Sequence, residues 1–91
     1  MGKEHTPSEV LSATGSEFLL TDLDVALTFM DAAETTESKE HAQRDHQNAR
    51  SAYDTVLRLL PKLQLDVAQR NEVDKKLAAL KARLTAAGQE F

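Results

Sequence analysis

The sequence predicts an all-α protein, an antiparallel up-down-up bundle of three helices. Three observations carry that prediction. Leu and Ala dominate the apolar residues while aromatics are scarce, with three Phe, one Tyr and no Trp, a composition suited to helix packing and not to sheet packing. Apolar positions recur every third or fourth residue over three long stretches. Helix start and stop residues fall between those stretches, and only three Gly and two Pro interrupt the chain, too few for a strand-and-turn protein. Ninety-one residues make one domain at most, and a chain this short buries only about 60–65% of its unfolded surface, so the core is thin.

Residues 1–20 form an N-terminal segment. Thr6-Pro7-Ser8-Glu9 has the pattern of a helix start, with Thr6 as N-cap, Pro7 in the first helical position and Glu9 reaching back. Gly15 is expected to end that helix. The result is a short helix over about 7–14, too short to persist alone, which docks through Val10 and Leu11 or stays mobile. Phe18, Leu19 and Leu20 are expected to cover one end of the bundle.

The bundle itself is expected over 21–88. Its first helix spans about 22–35, with Thr21 as N-cap and Asp22 and Asp24 at the positive end of the helix dipole. Two adjoining apolar stripes run along it: Leu23, Ala26, Leu27, Met30 and Ala33, then Val25, Phe29 and Ala32. A helix so broadly apolar should contact both of the others. The second helix spans about 39–60, capped by Ser38 and stopped by Pro61, which lacks an N–H and disfavours helical geometry at Leu60. Its apolar arc includes Ala49, Tyr53, Val56 and Leu57, and its first half is almost wholly polar. The third helix spans about 66–87. Asp66 and Gln69 form a capping box, Gly88 follows the end, and Val73, Leu77, Leu80, Leu84 and Ala87 make one narrow seam with coiled-coil spacing. Residues 89–91 are expected to fray, unless Phe91 folds back.

Connections this short force successive helices to run antiparallel. Helices two and three, at roughly 33 Å, should then outreach helix one at roughly 21 Å. Part of the long hairpin would lack a third partner.

The formal net charge is −4, which argues against broad phosphate-backbone binding. The charge is uneven: residues 1–38 carry −7 and residues 39–91 carry +3, so an acidic first helix is expected beside a basic third one. There is no Cys, hence no disulfide or thiolate chemistry, and no apolar run long enough for a membrane span; a cytoplasmic setting is the expectation. Met1-Gly2-Lys3-Glu4-His5-Thr6 fits the loose N-myristoylation template, but Glu4 and Glu9 carry the wrong charge for an anionic membrane, and an ordinary start is expected.

Ala49, Tyr53, Val56 and Pro61 give the second helix a small–large–small–Pro spacing that resembles the second helix of a tetratricopeptide repeat. Val56 stands where that family usually has Ala, and without a 34-residue self-similarity a repeat array is excluded. Residues 22–87, with the run Arg70-Asn71-Glu72-Val73-Asp74-Lys75-Lys76-Leu77, resemble a three-helix microtubule-interacting-and-transport module. That resemblance implies a groove between the second and third helices for a partner helix. Neither resemblance carries functional residues across.

Chemistry-bearing residues are present but not in chemistry-bearing patterns. His41 and His46 lie about 140° apart on a helix, so they cannot share a metal, and His41 with Asp45 supplies only two ligands. Asp45 and His46 fall on the apolar side of the second helix; if buried they would need partners such as Thr28, Asp31 or Thr35, and an end open to water is the simpler expectation. Asp22/Asp24 and Asp31/Glu34/Glu37 suit a capped start and a solvated face better than acid–base catalysis. Arg70, Lys75, Lys76, Lys81 and Arg83 scatter around the third helix, unlike a nucleic-acid-reading face. No catalytic, cofactor-binding or metal residue is assigned, and no enzyme, nucleic-acid, membrane or small-molecule function is expected.

Two functions remain. One is a protein-interaction module that takes a partner helix or peptide in a groove between its long helices. The alternative is a structural homo-oligomer, a dimer for instance, built through the third-helix leucine seam or the uncovered hairpin of helices two and three. The residues expected to matter most are core ones: Leu23, Leu27, Met30, Tyr53, Val56, Leu57, Leu77, Leu80 and Leu84.

Overall fold

The computed structural model describes the backbone from Pro7 to Phe91 and side chains from Gly15 onward. The readings of Gly2, of Thr6 as N-cap, and of docking through Val10 and Leu11 lie outside the described residues. Three helices make the fold: α1 (Pro7–Thr35), α2 (Lys39–Leu59) and α3 (Val67–Ala86), with a short 3-10 turn at Leu60–Lys62 between the last two. They pack as the antiparallel three-helix bundle that the periodicity predicts. The molecule measures 55 × 24 × 18 Å.

The largest departure from expectation is α1. It is one continuous helix of 29 residues, where the sequence suggests a short helix over about 7–14, a break at Gly15 and a fresh start at Thr21. The reason is packing. Ser16, Leu19, Leu23, Ala26, Met30 and Ala33 are all buried, and they step by three and four without losing phase. Gly inside a helix costs only about 1 kcal/mol relative to Ala, which burial along that seam exceeds. Gly15 is moreover where the linker presses closest. A Cβ there would sit 2.8 and 2.9 Å from the two methyls of Leu63. The glycine is therefore a notch in α1 and not its end. Leu19, assigned by sequence to the end of the bundle, lies fully buried within the core.

This overturns the expected length mismatch. At about 43 Å, α1 is the longest rod, and α2 and α3 at about 30 Å each lie along it. α1 packs against both other helices more extensively than they pack against each other.

The local signals for the other boundaries hold. The Ser38 hydroxyl accepts from the His41 N–H at 3.2 Å and caps α2. α2 gives way to the 3-10 turn at Leu60, beside Pro61. Asp66 accepts from the Gln69 N–H at 2.7 Å, and the Gln69 side chain accepts from the Asp66 N–H at 2.9 Å, so the capping box is complete. Gly88, at φ 99°, ends α3 in the left-handed region that favours glycine. Its N–H donates to Thr85 O at 3.0 Å and that of Gln89 to Leu84 O at 2.9 Å, the two bonds of a Schellman motif.

The core draws on all three helices. Leu23, Met30, Tyr53, Val56, Leu77, Leu80 and Leu84 are buried as expected. Leu27 is only partly buried, and Leu57 is 45% exposed. Residues 89–91 make contacts with α2, as the alternative reading of Phe91 folding back allows. The Phe91 ring meets Tyr53 edge-on at 5.0 Å, with the Arg50 guanidinium 4.1 Å from its centroid and the Lys81 ammonium 5.3 Å away. Arg50 also donates to Glu90 O at 2.8 Å and Gln89 Oε1 at 3.2 Å, so the tail folds back over α2.

Candidate docking groove between α1 and α2

The second apolar stripe of α1 begins earlier than the sequence suggests. With the helix continuous through Gly15, Phe18, Asp22, Val25 and Phe29 fall on one face, stepping by four, three and four. They form one wall of an open groove of about 430 Å³, and Asn48, Ser51, Ala52 and Thr55 of α2 form the other. Ala52 is small and leaves the depression between the rods. Phe18 is 53% and Val25 45% exposed, whereas Phe29 is partly buried and packed on the core.

The polar seam lies on the other side of α1, against α3. Lys76 bridges to Asp24, while Arg83 bridges to Asp31 at 2.8 Å and Glu34 at 2.9 Å and reaches Leu27 O at 3.4 Å. The expected pairing of an acidic first helix with a basic third helix is thus real. The hydrogen bond to Asp24 holds Lys76 above its ordinary pKa, partly opposed by burial. The bonds to Glu34 and then Asp31 do the same for Arg83. Among the described residues, Asp22 takes part in no such bridge.

The remaining candidates stay apart. His41 is exposed while Asp45 and His46 are partly buried, and no group of three or more metal-ligating side chains exists among the described residues. Thr28 and Thr35 donate to carbonyls of their own helix and not to Asp45 or His46. No buried side-chain N or O among the described residues lacks a hydrogen-bond partner. The bases of α3 diverge: Arg70 pairs with Asp74, Lys76 and Arg83 turn to α1, and Lys81 approaches Phe91.

Of the third-helix seam, Val73, Leu77, Leu80 and Leu84 are buried inside the bundle and Ala87 is exposed. The uncovered hairpin of α2 and α3 is lined by the longer α1. The groove lined by Phe18, Val25 and Phe29 lies between α1 and α2, whereas the sequence places one between α2 and α3. Phe18 and Asp22 were assigned other roles by sequence; the 18–22–25–29 spacing was the signal that could have found them.

Fold and site together define a small helical bundle with an open groove between α1 and α2. No family model, curated protein or solved structure matches the chain.

Proposed function

We propose that the chain is a non-catalytic, cytoplasmic protein-interaction module whose α1–α2 groove takes one amphipathic helix of a partner protein. The observation that carries this reading is the exposure of Phe18 and Val25 on a stripe of α1 that adjoins its buried seam of Leu19, Leu23, Ala26 and Met30. The stripe from Phe18 to Phe29 extends about 17 Å, some three turns, so a helix with apolar residues at i, i+3 or i+4 and i+7 matches it. A second copy fits less well. A two-fold axis through the middle of the stripe sets each Asp22 against the other protomer's Val25 and brings two carboxylates close together. Desolvating like charges against apolar surface is costly.

The test is selection from a library of helical peptides displayed on phage, run against the wild-type chain and against Val25→Lys, with helicity checked by circular dichroism. Wild type should yield binders whose affinity falls at least about tenfold, or about 1.4 kcal/mol, on Val25→Lys. No binders, or binders indifferent to the substitution, would overturn the reading. So would a concentration-dependent dimer, seen by light scattering and lost in Val25→Lys, since that would give the groove to a second copy.

A further inference from the structure

We infer that the groove selects its helix by charge: the occupant carries a Lys or Arg that meets Asp22, with apolar residues one turn to either side. This rests on the groove reading above and adds the partner's chemistry. Asp22 lies in the apolar stripe itself, four residues after Phe18 and three before Val25, and its side chain lines the groove. It is half-buried already. Its neighbours in the helix are engaged elsewhere, Asp24 with Lys76 and Asp31 and Glu34 with Arg83. The facing wall supplies Asn48, Ser51 and Thr55, which are neutral, and no cation among the described residues lines the groove.

The consequence is electrostatic. A wholly apolar helix seated here would strip water from a carboxylate and return nothing, and an acidic one would add repulsion. A Lys or Arg restores a charge-assisted hydrogen bond to Asp22. Its aliphatic stem can lie along Phe18 and Val25 while the charged head reaches the carboxylate. The rings of Phe18 and Phe29 offer the same cation further attraction. The charge that disfavours a second copy thus becomes the determinant for a basic amphipathic partner.

Two synthetic helical peptides test this, sharing one apolar stripe and differing only in Lys or Glu at the position facing Asp22. Calorimetric titration measures both against wild type, Asp22→Asn and Asp22→Lys, each checked for an unchanged melt. Wild type should favour the Lys peptide by about tenfold or more; Asp22→Asn should shrink that preference and Asp22→Lys should invert it. The wild-type preference should also weaken as salt rises. Equal affinity of wild type for the two peptides, or a preference untouched by Asp22→Asn, overturns charge selection while leaving the groove standing, provided binding remains sensitive to Val25→Lys. Failure of both peptides to bind overturns the groove reading and this inference with it.

Discussion

Gly15 shows how one missing methyl can hold two opposed effects. Adding a Cβ favours the helical backbone by about 1 kcal/mol. It also drives that atom into the Leu63 methyls, at 2.8 and 2.9 Å, and forces Leu63 to turn aside. We therefore expect Gly15→Ala to gain clearly less stability in the wild-type background than in a Leu63→Ala background, as read from urea denaturation. Equal gains in the two backgrounds would mean that no notch exists. The leucines make a simpler contrast. Leu80 is fully buried, so Leu80→Ala should cost about 2–5 kcal/mol, a large share of the stability of so small a domain. Leu57, nearly half exposed, should cost less than about 1 kcal/mol when truncated, although its sequence context is equally apolar. If chemical denaturation ranks the two substitutions equally, the packing described for α2 is wrong.

At the scale of elements, the seam between α1 and α3 makes a pH-dependent contribution whose sign can be worked out. Lys76 has its pKa raised in the folded chain, chiefly by the hydrogen bond to Asp24. A raised basic pKa stabilises the fold fully below the ordinary value of 10.5, and that contribution is lost as pH climbs through the folded value. Arg83, raised by Glu34 and Asp31, keeps its charge throughout. The Lys76 and Arg83 side chains are 27% and 28% exposed, so each cation contributes under about 1 kcal/mol, and less in high salt. The difference in urea midpoint between wild type and Lys76→Gln should be present near neutral pH and close above the lysine range. A difference that widens in alkali would contradict the assignment.

The same scale shows what sequence can and cannot reveal. Ser38, the Asp66–Gln69 box, Pro61 and Gly88 mark their boundaries correctly because caps and stops act within one turn of chain. The start of α1 does not follow from local signals, because Gly15 and Thr21 are ambiguous within one turn of chain. What decides there is a seam of buried residues together with a leucine far along the chain, neither of which a cap signature registers. Half of the groove was legible in the Val25, Phe29 and Ala32 stripe. The other half was hidden, since Phe18 and Asp22 join that stripe only once the helix extends past them. Phe91 depends on Arg50 and Tyr53 of α2, contacts between distant parts of the chain that periodicity does not encode.

For the molecule as a whole, α1 is the shared wall. Its buried seam meets α2 and α3 together, its acids hold α3 by charge, and its second stripe faces the groove. The two later helices touch sparingly and are joined by a linker that leans on Gly15. A protein this thin has little stability to spare, so surface left apolar, as at Phe18 and Val25, risks aggregation unless it has a use.

That arrangement has a consequence for how the chain comes to life. A ribosome delivers the rod that everything else leans on before anything can lean on it. We expect the second rod to pair with the first across a hairpin only a few residues wide before the third closes on both, an order that pulse-labelling hydrogen exchange would check. Since the other two touch each other only sparingly, we expect loosening the foundation to undo the molecule in one step, with coincident circular-dichroism and fluorescence transitions.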